Sequence, residues 1–130
     1  MSNIVLVGFK RSPFTIANKG LLAGVRPEDI LSQVINDLIK TTNINKDDIE
    51  DIIAGCAYPE GAQGYNIAKI VSFMTGMPEH VGGMTINRWC GSSMQAIHSA
   101  AGAISMNAGK VFICCGIESM TSVPINGLNY

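Results

Sequence analysis

The chain has 130 residues, with 9 Lys plus Arg against 10 Asp plus Glu and 47% hydrophobic residues, the size of one domain with enough apolar content for a real core. Charge is balanced and no basic cluster occurs, which argues against nucleic acid as a partner. The cysteines at 56, 90, 114 and 115 form no CxxC pair and have no histidine at ligand spacing, so neither zinc nor a disulfide framework is expected. Met1-Ser2-Asn3 runs straight into an apolar segment without a basic leader, which sets a cytoplasmic location as the expectation.

In chain order, Asn3 to Gly8 reads as a buried strand rich in Val, Ile and Leu. Arg11 to Gly24 lacks a sustained period and is expected as a long loop, of the kind often used for function or oligomer contact. Pro27 at a first helical position, Glu28 and Asp29 behind it, and apolar pairs at 30/31, 34/35 and 38/39 predict the clearest helix, ending across Lys40 to Asn45. Lys46 to Ile49 reads as a short turn and Asp51 to Ala57 as a strand, with the acidic group at 47, 48, 50 and 51 expected as a solvated face. Tyr58 to Gly64 is a loop by its Pro and Gly content, and Asn66 to Met74 resumes a helical pattern. Gly83 to Asn87 and Val111 to Cys115 supply further strands, the second placing Cys114 and Cys115 on opposite faces in core packing. The alternation of strands and helices predicts an α/β layered domain with a mainly parallel sheet.

The most informative stretch is Asn87-Arg88-Trp89-Cys90-Gly91-Ser92-Ser93-Met94-Gln95. Ser92 to Ala108 has good helix character, with Met94, Ile97, Ala101, Ile104 and Ala108 on one face and Gly109 placed to end it in a left-handed cap. Trp89 to Gly109 is uncharged, yet its Ser, Gln, His, Asn and Gly content reads as a buried helix of a soluble domain, not a membrane span. A cysteine at the start of such a helix meets unpaired N–H groups and the positive end of the helix dipole, which favour a thiolate. Small neighbours let an acyl group approach, a serine can cap the helix, and the same N–H groups can stabilise an oxyanion. Cys90 is therefore the candidate nucleophile; the competing reading is a buried small hydrophobe.

Asn87 to His98, followed by Gly116-Ile117-Glu118-Ser119-Met120, resembles the two N-terminal signatures of the thiolase family. Ile4-Val5-Leu6-Val7-Gly8 with Arg11-Ser12-Pro13-Phe14 resembles that family's first strand and the loop after it. The resemblance implies a layered α/β thiolase-like N-terminal half, with a buried nucleophile helix, a sheet left incomplete in this chain, and residues 1–130 reaching only the start of the family's loop domain. It implies acyl transfer between coenzyme A thiols through an acyl-cysteine on Cys90, in the direction of 3-ketoacyl-CoA cleavage or formation, with coenzyme A as substrate and no tightly bound cofactor or metal. It implies a buried supporting role for Glu118, which holds the cysteine loop, the plainer alternatives being a solvated glutamate or an ion pair with Arg88. It also places the helix after Asn66 near a dimer contact, and the Gly-Ser-Ser-Met-Gln-Ala wording is closer to degradative long-chain thiolases.

The family's Gly-His-Pro, Cys-x-Gly-Gly and Asn-Glu segments do not occur among these 130 residues. The only histidines are His80 and His98, and His98 stands about 12 Å along the helix from Cys90, too far to act as its base. Two expectations follow. One is an acyltransferase that acts with a complementary thiolase half or as a homo-oligomer, a condensing ketoacyl synthase being a weaker rival; the other is a catalytically incompetent thiolase-like dimerisation or binding protein.

Overall fold

The computed structural model describes residues 4–128. Its regular elements are α1 (Pro27–Thr42), β1 (Asp51–Gly55), α2 (Ile67–Met74), β2 (Gly82–Ile86), α3 (Ser92–Ser105) and β3 (Phe112–Gly116), with single 3-10 turns at Lys46–Asp48 and Gly61–Gln63. The strands form one parallel sheet in the order β2-β1-β3, with Asp51 opposite both Gly82 and Phe112 and Gly55 opposite both Ile86 and Gly116. From Pro27 onward each expected helix and strand is present, with β2 starting one residue earlier than expected, at Gly82, and β3 running one residue later, to Gly116, and the parallel α/β reading holds.

Helix α1 starts where a proline supplies its fixed φ and two carboxylates meet the positive end of the dipole, and it stops at Asn43 in the left-handed conformation. Leu31 and Ile35 bury one side, while Ile30, Val34 and Leu38 are half-buried beside them. Strand β1 alternates strictly. Ile52, Ala54 and then Cys56 face α1 and α2, whereas Ile53 and Gly55 face α3. The same alternation divides β3: Ile113, Cys115 and Ile117 join the α1/α2 core, while Phe112, Cys114 and Gly116 lie toward α3. Cys114 and Cys115 thus point to opposite faces, as their adjacency in a strand requires.

Three expectations need correction. Asn3 lies outside the described residues, and residues 4–8 form no strand: Ile4, Val5, Leu6 and Val7 are exposed. This segment instead passes α1, with Gly8 against Thr42 and Leu38 and Lys10 paired to Asp37 at 2.8 Å. Strand propensity is expressed only where a ladder offers partners, and here none adjoins it. The second correction concerns the end of α3, which stops at Ser105, with Asn107 rather than Gly109 in the left-handed position. The Asn107 N–H donates to the Ile104 carbonyl and the Ala108 N–H to the Ala103 carbonyl, the paired bonds of a Schellman ending. Third, α3 is buried along one side only. Ser92, Ala96 and Ala100 pack on the sheet, and the side carrying Met94 and Ile97 is open. Among the described residues no helix is long and apolar enough to cross a membrane.

Candidate active site

Cys90 lies in the turn between the C-terminal end of β2 and the first turn of α3, two residues before the helix, and it is the exposed one of the four free cysteines. Two glycines seat that helix end. A Cβ on Gly55 would lie 2.4 Å from the Ser92 carbonyl carbon and from the Ser93 nitrogen, and one on Gly116 would lie 2.4 Å from Ser93 Oγ. Because these glycines are register partners at the ends of β1 and β3, they form a side-chain-free notch into which the backbone of α3 descends.

The turn is closed by its own hydrogen bonds. The Gly91 N–H donates to the Arg88 carbonyl at 3.0 Å and the Ser92 N–H to the Trp89 carbonyl at 3.1 Å. Gly91 occupies the N-cap, so the expected serine cap is not made. Ser92 Oγ turns back instead, accepting from the Arg88 N–H at 2.8 Å and donating to the Trp89 carbonyl at 2.6 Å. The N–H groups of Gly91 and Ser92 are thus spent inside the turn, and an oxyanion would have to be met by other donors. Trp89 sits at φ 51°, with its ring edge-on to Tyr58 at 6.0 Å between centroids.

Glu118 is exposed at the rim and not buried, yet both of its oxygens are engaged. Oε2 accepts from the Ala57 N–H at 2.7 Å and Oε1 from Gln63 Nε2 at 2.8 Å. Arg88 is not its ion-pair partner; that guanidinium donates to Gln95 Oε1 on α3. Glu118 therefore reaches the cysteine turn indirectly, through Ala57, whose carbonyl accepts from Asn87 Nδ2 at 2.9 Å. Fully buried Gln63 ties the same corner together by donating to the Tyr58 carbonyl at 2.8 Å and accepting from the Ser119 N–H. Sequence pattern assigns no role to Gln63, Gly55, Asn87 or Gly116, although the last two stand at the heads of the two motifs. The readable signals were a lone amide between glycines at 61 and 64, and glycines closing two apolar strands.

The other thiols are poorly suited to attack. Burial, and then the negative charge of Glu118, push Cys56 up to about 11. Burial, with Cys114 next to it, pushes Cys115 up to about 12, and burial also raises Cys114. His80 and His98 are both exposed. Among the described residues no cluster of three His, Cys, Asp or Glu side chains is placed to hold a metal.

A parallel α/β domain that presents an exposed cysteine at the entry to a glycine-seated helix belongs to a class in which such a residue can take a covalent load. The profile of the thiolase N-terminal domain matches residues 4–129, and the chain belongs to the thiolase family. It is 38% identical over 126 residues to a 3-ketoacyl-CoA thiolase of Colwellia psychrerythraea and 39% identical over 127 residues to one of Aeromonas salmonicida, covering 96% and 97% of this chain. The chain spans about a third of the length of these relatives, 33% in both cases. The Acat5 thiolase of Ascaris suum, solved in complex with coenzyme A, superposes with a TM-score of 0.76 at 28% identity, over 87% of this chain and 32% of that one. The Bacillus anthracis acetyl-CoA acetyltransferase gives 0.75 at 31% identity, over 81% of this chain and 26% of its own.

Proposed function

We propose that the chain supplies the nucleophilic half of an acyl transfer between coenzyme A thiols. The observation that carries this reading is the exposed Cys90 held at the entry to α3, within a chain of the thiolase family. In the cleavage direction the Cys90 sulfur attacks the keto carbon of a 3-ketoacyl-CoA and the bond between C2 and C3 breaks. The C2 fragment takes a proton and leaves as acetyl-CoA. The shortened acyl group stays as a thioester on Cys90, and the thiol of a second coenzyme A removes it. Glu118 and Gln63 keep the corner beside the turn in place.

The reaction needs a base for the thiol and an acid or base for the C2 carbon. His98 stands too far along α3 to serve and His80 is an exposed loop residue, so in this reading those groups come from a complementary thiolase half. Coenzyme A and its acyl esters are substrates in this account, and the setting is cytoplasmic. Long-chain degradative substrates follow from the wording of the motif. A second reading, a binding or dimerisation module without turnover, is favoured by the open apolar side of α3 at Met94 and Ile97.

Incubation with acetyl-CoA, followed by intact-mass and peptide analysis, tests the first reading. One acetyl group on Cys90 is expected when the complementary half is present, together with thiolysis that Cys90→Ala abolishes without disturbing assembly. Unchanged turnover in Cys90→Ala overturns the nucleophile assignment. The chain alone is expected to show no turnover, and robust turnover by it would overturn the division of labour.

A further inference from the structure

The residue directly before Cys90 carries an unfavourable backbone. Trp89 holds φ 51°, a conformation that costs a bulky L-residue about 1–2 kcal/mol and persists only when the surroundings enforce it. Ser92 fixes the carbonyl side of Trp89, through its hydroxyl at 2.6 Å and its N–H at 3.1 Å. The N–H side is fixed by one group, Asn87 Oδ1, which accepts from the Trp89 N–H at 2.9 Å. The other end of the same amide donates to the Ala57 carbonyl at 2.9 Å. Only one orientation of the amide satisfies both bonds, since a flip would set NH2 against N–H and oxygen against oxygen. Beyond Ala57 the bonds continue to Glu118 and from there to Gln63, so this side chain hydrogen-bonds the Cys90 turn to the corner between β1 and β3, beside the contact of the Trp89 ring with Tyr58.

We propose that Asn87 is a positioning residue for Cys90: it locks Trp89 in the left-handed conformation that aims the cysteine, and anchors that turn to the Glu118–Gln63 corner. The proposal rests on the reading of Cys90 as the nucleophile. It has an independent reporter, because Trp89 is the only tryptophan in the chain.

The test pairs Trp89 fluorescence with acetylation of Cys90 by acetyl-CoA in the presence of a complementary thiolase half. Asn87→Ala is expected to lower the anisotropy of Trp89 and to slow acetylation by about tenfold, a size typical of a misaimed reacting group, with little change in the urea midpoint. In a Trp89→Gly background the left-handed position is free of strain, so adding Asn87→Ala should alter acetylation by no more than about twofold. Unchanged anisotropy in Asn87→Ala, or an equally large loss in the Trp89→Gly background, overturns the proposal. If wild-type Cys90 takes no acetyl group, the acyl-transfer reading fails, and the anisotropy alone then decides whether Asn87 sets the turn. Should Asn87→Ala not fold, Asn87→Asp keeps the acceptor for the Trp89 N–H and gives up the donor to the Ala57 carbonyl, so it tests the lock on Trp89 apart from the anchor. Wild-type anisotropy is expected there, and a fall to that of a free side chain counts against the proposal.

Discussion

The two faces of the sheet are built on opposite plans. The face under α1 and α2 is a thick layer of branched side chains, with Leu31, Ile35, Ile49, Ile52, Ile67, Val71 and Val81 almost wholly removed from water. Among the described residues the apolar side chains at comparable burial under α3 are Ile53, Ala96 and Ala100, with Ser92 beside them, and the strands end there in Gly55 and Gly116. Branched side chains keep a helix some 10 Å from a sheet, whereas alanine and glycine let its backbone come close. Stability is thus concentrated on one face. The other gives up apolar volume to place the start of α3, and Cys90 with it, near the sheet's C-terminal edge.

If that division is right, truncation should cost stability on the first face and little on the open side of the second. Ile52→Ala removes a fully buried branched side chain from the centre of the sheet and is expected to cost about 2–5 kcal/mol in urea unfolding. Ile97→Ala, on the open side of α3, should stay within about 0.5 kcal/mol. Equal losses at the two positions would show that α3 is covered by something, such as a second copy of the chain.

The glycine notch offers a sharper contrast within one face. Gly55→Ala drives a methyl group into the backbone of Ser92 and Ser93, which cannot rotate away, so the first turn of α3 must move. A loss of about 1–3 kcal/mol and a marked slowing of Cys90 acetylation are expected. Gly116→Ala meets chiefly the Ser93 hydroxyl, 2.4 Å away, with Ser93 Cβ at 3.1 Å. Its effect should be smaller, and Ser93→Gly should relieve it. If the two glycine variants behave alike, the backbone approach is not what positions the turn.

The α1/α2 face was legible because it is written in periodic side chains. Pro27, the acidic first turn and the paired apolar residues fix α1, and the alternation through Ile52, Ile53 and Ala54 fixes a central strand. Cys90 was legible as a motif at a helix start. What supports it was not, because Gln63, Asn87, Gly55 and Gly116 act through single hydrogen bonds and through missing side chains, neither of which leaves a period in sequence. The failed strand at residues 4–8 shows the converse: its apolar run is plain in sequence, but whether it pairs depends on a neighbour that sequence pattern does not supply.

Burial raises thiols on both faces, Cys114 on the α3 side included, and the two large shifts lie in the thick core. Cys56 and Cys115 both face the thick core, and each is raised in the folded protein from an ordinary 9.0 to about 11 and about 12. Below pH 9 both thiols are protonated whether the chain is folded or not, so their contribution is fully present. Above pH 9 the unfolded chain releases protons that the folded one retains, and stability falls as pH climbs toward 11 or 12. Urea midpoints should therefore decline over that interval, and Cys115→Ala should flatten the decline. A midpoint independent of pH there would mean that these thiols are solvated in the folded state.

The smallest expected effect lies at the far end of α3 and separates helix stability from positioning of the cysteine. Asn107 carries the left-handed turn that ends the helix, at φ 59°, and it is exposed. Glycine adopts that conformation without a Cβ penalty, while the two Schellman hydrogen bonds involve backbone only and survive the exchange. Asn107→Gly should therefore raise stability by a few tenths to about 1 kcal/mol, offset in part by the greater freedom of glycine in the unfolded chain. The notch at Gly55 and Gly116 fixes the opposite end of the helix, so Cys90 acetylation should not change. A changed rate would mean that the aim of Cys90 depends on the seating of the whole helix and not on its first turn alone.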